Sequence, residues 1–574
     1  MLQSLVAGTM LFVPFRGTSW LGLLSLCLLA ASAHAKTGRV DVAQIERCRA
    51  LESVDFSDLQ DAPTQITRAQ WIAPAKRERA YCLVEGYVTP QVGFELRLPD
   101  PDWNGKLLVL GNGGWGGDFD ADACVGHLAK GYACLVSDTG HKGSGPDGLW
   151  AFHNLQAQVD FAYRSVHVAT LAAKSIVGRY YTQAPRRSYF MGCSTGGYEG
   201  LVEAQRFPWD FDGIIAGSPD MDEADLIMRN VWNVRSFTST SGEPILNAHD
   251  IDVLHRAVLA ACDSDDGVQD GIVSDPVDCK FDPANLLCSS AEHYDCLTPA
   301  QVAAVKRIYA GPSNSVGEPV STPGILPGSE LLWGDKFDGL NGQDIRDEAE
   351  SFLRYMIYGA SPDWKVNTFN FDRDYKRIGL GALYNDTNPD LRKFKAAGGK
   401  LLVYQGGNDL LEVPGAILDY YSTTERTMGG RTATQDFFRL FMIPAMYHCT
   451  GGPGPYAVDY LSYLEKWVEA SRPPDVMIGA HLSDAYMAAQ PLRPKWDTPG
   501  LPLETRAWIA AVDLRFPLDP AIPVVFTRPI FPYPRYARYT GSGDHNVAAN
   551  FLPVDPEADS RGRLALTQTD TPRH

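Results

Sequence analysis

Ser188-Tyr189-Phe190-Met191-Gly192-Cys193-Ser194-Thr195-Gly196-Gly197 places a short apolar run directly before a Gly-x-Ser-x-Gly turn. The run reads as a strand and the residues from about Gly197 onward as a helix, so Ser194 falls on the sharp turn between them. Glycines at 192 and 196 suit that turn, because a serine held in a strained conformation leaves no room for flanking side chains. The pentapeptide alone arises by chance. The strand before it and the helix after it give the match its meaning.

Outward from this turn the chain alternates strands and helices. Lys106–Gly111 is an apolar run ending in glycine, and after a helical stretch comes Tyr132–Ser137, followed by Asp138-Thr139-Gly140-His141. From Gln156 to Tyr181 apolar residues recur at helical spacing, among them Val159, Phe161, Val166, Leu171 and Ile176. Phe211–Gly217 reads as the strand and loop after the serine, and Gly399–Tyr404 and Phe437–Ile443 as two more. Such alternation predicts an α/β fold with a parallel sheet. Between Gly217 and Gly399 it fails, in a stretch with four cysteines, an acidic Gly-containing loop and a Pro/Gly/Ser-rich segment from Gly311 to Gly328. The simplest organisation is one sheet domain in two parts, 36–220 and 389–574, interrupted by an insertion at 221–388 that forms a lid over the carboxyl ends of the strands. There is no internal repeat.

A serine hydroxyl needs a base to take its proton, and the base needs a carboxylate to orient it. Gln405-Gly406-Gly407-Asn408-Asp409 follows the strand at 401–404, which puts Asp409 at a strand's carboxyl end, with Glu412 as the rival acid. Phe441-Met442-Ile443 leads into Pro444-Ala445-Met446-Tyr447-His448-Cys449, which puts His448 in the loop after the next strand. The order Ser194, Asp409, His448 is that of an α/β-hydrolase. His141 is the rival base, but it precedes the serine. Asp409 also has a plainer reading as a helix cap, and His448 as a hydrogen-bonded loop histidine. For the oxyanion, one donor is expected from the backbone of Thr195 and a second from Gly113 or Gly114 in the loop Gly111-Asn112-Gly113-Gly114-Trp115-Gly116-Gly117. That loop lacks both the Gly-x-Gly-x-x-Gly spacing and the Lys-Ser/Thr of phosphate cradles.

The chain has 574 residues, 45% of them apolar, enough for a large core. Its 51 basic and 69 acidic side chains give a net charge of −18 with no long Lys/Arg run, which argues against nucleic acid and anionic membranes as partners. Arg16, the apolar stretch Trp20–Ala31 and Ala33-His34-Ala35 predict a signal peptide over 1–35, hence a secreted or periplasmic protein with no membrane span after cleavage. Pro14, Arg16 and Gly17 interrupt the run too early for a spanning helix. Cleavage removes Cys27 from the eleven cysteines and leaves ten, Cys48, Cys82, Cys124, Cys134, Cys193, Cys262, Cys279, Cys288, Cys296 and Cys449. An even set in an exported chain reads as disulfides, several of them local, Cys262 with Cys279 and Cys288 with Cys296 lying near in sequence. Spacing alone leaves the pairing open. If Ser194 and His448 meet, their neighbours Cys193 and Cys449 come close enough to bond.

Together these segments resemble the tannase and feruloyl esterase family, which also includes the hydrolase of mono(2-hydroxyethyl) terephthalate. The resemblance is carried by Gly111–Gly117, Ser137–His141, Phe161–Thr170, Tyr189–Gly197, Ala204–Pro219 and Met446–Pro455 and covers nearly the whole mature chain. It implies an α/β-hydrolase core with a disulfide-stapled, calcium-binding lid, and a Cys193–Cys449 bond bridging the catalytic residues, with Cys48 and Cys82 also among the bonded cysteines. It implies that Cys262–Ile272 binds structural Ca²⁺ through the side chains of Asp263, Asp266 and Asp270 and the carbonyls of Val268 and Ile272. A hard cation taking about six to eight oxygens suits that donor set, although the loop is not an EF-hand.

Two departures stand out. Tyr198 stands where relatives commonly carry Arg, which puts a charge contact behind the nucleophile in doubt. Two cysteines that relatives carry near Phe531–Pro534 and Asn550–Leu552 are absent, with a Cys124–Cys134 bond as a possible local substitute. The resemblance implies small aromatic esters as substrates, plant cell-wall feruloyl esters first, with galloyl esters and terephthalate half-esters as rivals. The insertion's aromatics, Trp333, Phe337, Phe352, Tyr355, Tyr358 and Trp364, suit an aromatic acid or simply the insertion's own core, and Arg354 is a candidate for the substrate's far substituent. A non-catalytic, calcium-dependent glycan-binding protein on the same scaffold would carry a damaged catalytic set, whereas every element is present.

Overall fold

The apolar runs around Ser194 become neighbouring strands in a computed structural model that describes residues 42–73, 79–143, 147–289, 294–321, 324–334, 343–358, 364–377, 379–490, 506 and 522–556. The expected signal segment 1–35 and Phe337 lie outside the described residues. The strands are β1 (Thr64–Ile72), β2 (Tyr81–Val88), β3 (Val92–Pro99), β4 (Lys106–Leu110), β5 (Ala133–Ser137), β6 (Arg187–Cys193), β7 (Gly213–Gly217), β8 (Lys400–Gly406) and β9 (Phe438–Ile443). They form one sheet in the order β1-β2-β3-β5-β4-β6-β7-β8-β9. The first three pair antiparallel and β3 meets β5 antiparallel, whereas every pairing from β5 to β9 is parallel. β5 and β7 are buried throughout, as strands covered on both faces must be, while the edge strand β1 exposes several residues.

The helix expected over 156–181 is present in three pieces, Leu155–Val159, a wide π-helical turn Asp160–Arg164, and Ser165–Tyr181. The last buries Val166, Val168, Ala169, Ala172, Ala173, Ile176 and Val177 in the main core. From β4 the chain goes to β5 on one side and then to β6 on the other. The strand order therefore reverses at β4, and the crevice beyond the carboxyl ends of β4 and β6 is where an open α/β sheet holds its ligand. The glycine-rich loop leaves β4 there, and Ser194 leaves β6.

Residues 218–399 add no strand to this sheet among the described residues. They build helices Glu223–Phe237, Ala248–Cys262 and Pro299–Ala310 and two apolar clusters, one around Phe352 and Val231, the other around Trp333 and Leu254. The stretch leaves and returns at one place, since Asp222 bridges Asn385 and the Asn385 amide donates to the Asp222 carboxylate at 2.8 Å. Among the described residues, five disulfides join Cys48–Cys82, Cys124–Cys134, Cys193–Cys449, Cys262–Cys279 and Cys288–Cys296. Near the C-terminus, Tyr536–Tyr539 pairs antiparallel with Phe551–Val554 through the backbone. No described helix is long and apolar enough to cross a membrane.

Candidate active site

Ser194 sits at φ 63° and ψ −127°, a backbone conformation that L-residues rarely adopt, between β6 and the helix Thr195–Arg206. The surrounding glycines permit it by close approach. A Cβ at Gly192 would lie 2.5 Å from the Gly196 carbonyl oxygen, and one at Gly196 would lie 2.7 Å from that of Asn112. The serine's turn is thus wedged against the loop after β4.

Asp409 lies after β8 and is buried; its carboxylate accepts from the backbone N–H groups of Leu411 and Glu412, both at 3.0 Å, and from the Gln405 amide at 3.1 Å. The plainer capping reading is therefore half right: Asp409 ties a tight turn, while the next helix, Pro414–Met428, begins beyond it. Its two oxygens also lie 3.0 and 3.1 Å from His448 Nδ1. A carboxylate on Nδ1 fixes the ring and its tautomer, leaving Nε2 as the basic nitrogen. The Cys193–Cys449 bond, with Cα atoms 5.9 Å apart, joins the immediate neighbours of Ser194 and His448 across 256 residues.

The rivals are accounted for by their surroundings. His141 Nε2 donates to the Trp115 carbonyl at 2.9 Å, its Nδ1 faces the Thr139 hydroxyl at 3.1 Å, and the ring stacks on Trp150 at 3.7 Å. Burial lowers its pKa, so it braces the glycine-rich loop as a neutral ring. Glu412 is buried, and burial together with the charge of Asp409 pushes its carboxyl well up. Arg354 is held by Glu350 at 2.6 Å and by the Trp364 carbonyl at 2.7 Å, so its charge is spent inside the insertion. Trp333 and Phe352 are fully buried there and serve as core.

In the glycine-rich loop Gly113 is exposed, and a Cβ there would meet nothing within 4 Å, whereas the Gly114 carbonyl accepts from the Thr195 hydroxyl at 2.8 Å. Thr195 is the first residue of its helix, where backbone N–H groups have no partner within the helix. Tyr198, in place of the charge expected behind the serine, donates to the Ala162 carbonyl, and an ion pair between Arg206 and Asp386 at 2.8 Å lies beside it. Two further contacts had no legible signal in the sequence: Trp115 Nε1 donates to Glu223 at 2.7 Å, and Asn112 N–H donates to Glu199 at 2.9 Å. Burial pushes both glutamates up to about 7.

In the acidic loop, Asp263 accepts from the N–H groups of Asp270, Gly271 and Ile272, and Asp266 from Val268 N–H and the Ser274 hydroxyl. Asp270 accepts from Ile272 N–H and pairs with Arg528. Burial raises the Asp266 pKa, with the nearby charge of Asp270 adding to it. Three carboxylates against one guanidinium leave negative charge unbalanced in a set of hard oxygens, which fits a divalent oxygen-seeking cation.

A parallel sheet with a strained serine after one strand and a histidine–aspartate pair after two later strands defines an α/β-hydrolase. The comparisons with known proteins narrow the class. Residues 77–554 match the family described as tannase and feruloyl esterase. The chain belongs to that family and is a carboxylic ester hydrolase. It is 31% identical to the mono(2-hydroxyethyl) terephthalate hydrolase of Piscinibacter sakaiensis, over 90% of this chain and 93% of that one. It is also 31% identical to probable feruloyl esterase B-2 of Aspergillus flavus, over 71% of this chain and 80% of that one. Feruloyl esterase B from Aspergillus oryzae superposes with a TM-score of 0.75 at 25% identity, covering 89% of this chain and all of the other.

Proposed function

We propose that this chain is an exported serine esterase that hydrolyses esters of aromatic acids through an acyl-enzyme, feruloyl and other hydroxycinnamoyl esters first. The observation that supports the reading is the Cys193–Cys449 bond, which joins the chain neighbours of Ser194 and His448, together with the His448–Asp409 pair. His448 takes the Ser194 proton as the hydroxyl attacks the ester carbonyl, and Asp409 stabilises the imidazolium that forms. Backbone N–H groups of Thr195 and of Gly113 or Gly114 hold the oxyanion. Collapse expels the alcohol, which His448 protonates; His448 then deprotonates a water that attacks the acyl-enzyme and releases the acid and Ser194.

Residues 221–388 act as the lid over this centre, which fits their single point of exit and return at Asp222 and Asn385. Ca²⁺ held by Asp263, Asp266 and Asp270 and the carbonyls of Val268 and Ile272 supplies charge balance to the lid and takes no part in the reaction. Export, through a signal peptide at 1–35, is supported by five disulfides, and a plant cell-wall source suits the aromatic ester class.

The deciding experiment is a panel of methyl ferulate, methyl gallate and mono(2-hydroxyethyl) terephthalate on one purified preparation, with methyl ferulate expected to show the highest kcat/KM. A preference for either rival reassigns the substrate. Fluorophosphonate labelling that fails, or that persists in Ser194→Ala, overturns the mechanism. Chelation is expected to lower Tm and added Ca²⁺ to restore it; an unchanged Tm removes the calcium site.

A further inference from the structure

The loop after β4 is pinned to the nucleophile helix at two points one residue apart on either side of Gly113. On one side the Thr195 hydroxyl holds the Gly114 carbonyl. On the other, Glu199 Oε2 accepts the Asn112 backbone N–H at 2.9 Å, and Oε1 accepts the Asn112 side-chain amide at 3.3 Å. Glu199 lies on the helix that follows Ser194, and is only 3% exposed. The bare backbones of Gly111 and Gly196 let loop and helix touch, since a Cβ at Gly111 would lie 2.7 Å from Gly196 Cα and 2.8 Å from Glu199 Oε2. Gly113, between the two pins, faces open space.

We infer that Glu199 is a positioning residue for ester hydrolysis: its carboxyl group sets the distance between Ser194 and the oxyanion donor of the Gly113 loop by holding Asn112 against the nucleophile helix. The inference rests on the reading of that loop as an oxyanion donor. What the tie requires is an acceptor at the reach of a glutamate side chain, and charge is not part of the requirement. Burial pushes Glu199 up to about 7 while the Asn112 donors pull the other way, so both protonation states occur near neutrality, and each retains an oxygen for the Asn112 N–H.

The test separates reach from charge. Glu199→Gln keeps the reach and removes the charge; Glu199→Asp keeps the charge and withdraws the oxygens by one methylene. Rates per phosphonate-titrated site are measured on the best ester of the panel, with Tm recorded for each variant. Glu199→Gln is expected to hold kcat within about threefold of the parent, and Glu199→Asp to lose about 10- to 100-fold in kcat with KM within about threefold. A Glu199→Asp enzyme at the parent rate, or a Glu199→Gln enzyme impaired as much as Glu199→Asp, overturns the assignment. Ser194→Ala run alongside distinguishes the two failures: an active Ser194→Ala removes the underlying site, whereas an inactive one with normal Glu199→Asp removes only the role of Glu199.

Discussion

Among the described residues are two buried histidine–aspartate pairs that are chemically alike. His448 Nδ1 meets Asp409 and His167 Nδ1 meets Asp210, with histidine side chains 13% and 10% exposed and carboxylates almost fully buried. Each pair has a buried glutamate whose pKa is driven up by burial and by the partner aspartate, Glu412 in the first and Glu203 in the second. What differs is placement. Asp409 and His448 follow β8 and β9 at the carboxyl ends of the parallel strands, whereas Asp210 precedes β7 at the opposite end of the sheet. His167 is stacked on Phe207 at 3.8 Å, and one ring nitrogen of His167 and one carboxylate oxygen each of Glu203 and Asp210 lie within 4.8 Å of one another. Of the two histidines, His448 is the one whose chain neighbour is bonded to the neighbour of the strained Ser194, which is why the proposed mechanism uses it.

The sharpest way to break this contrast is to remove each ring. His448→Ala is expected to lower kcat by about 10³-fold or more, by analogy with other serine triads, while His167→Ala leaves kcat per folded molecule near the parent value. Equal losses in steady-state assays normalised to folded protein would erase the distinction. Asp409→Asn is expected to cost about 10³- to 10⁴-fold in kcat because the tautomer is lost, and Asp210→Asn to register in melting temperature instead.

Only the first pair is clamped covalently. The Cys193→Ser/Cys449→Ser double variant is expected to lose roughly 3 to 5 kcal/mol in a denaturant titration, given the length of the loop it opens, together with part of its activity. An unchanged midpoint would mean that the loops after β6 and β9 are held by packing alone.

The smallest effect is expected from pH. A glutamate whose folded pKa is raised keeps its proton while the unfolded chain releases it, so stability falls as pH rises above the ordinary value of 4.5. Glu203→Gln should therefore narrow the Tm difference between pH 5 and pH 8, and Glu412→Gln should do the same beside Asp409. A wider difference in either variant would show that the glutamate is ionised in the folded protein.

The placement of Ser194, Asp409 and His448 at strand ends was legible in the sequence because each stands just after an apolar run, and in a parallel sheet the ends of such runs share one edge. The Cys193–Cys449 bond was legible for the same reason, and so were the nearby pairs Cys262–Cys279 and Cys288–Cys296, whose separations are 17 and 8 residues. Local pattern carries this information because hydrophobic period and turn chemistry are properties of a few consecutive residues. Which strand lies beside which is not such a property. The placement of β4 between β5 and β6, which creates the crevice, came only from the tertiary structure. So did the tie of Glu199 to Asn112 across 87 residues and the meeting of His167 with Asp210, since a glutamate within a helix or a histidine in an apolar stretch carries no local mark of its partner. The sequence determined the chemistry available at the strand ends; the sheet decided which of two similar histidine–aspartate pairs is set beside the serine.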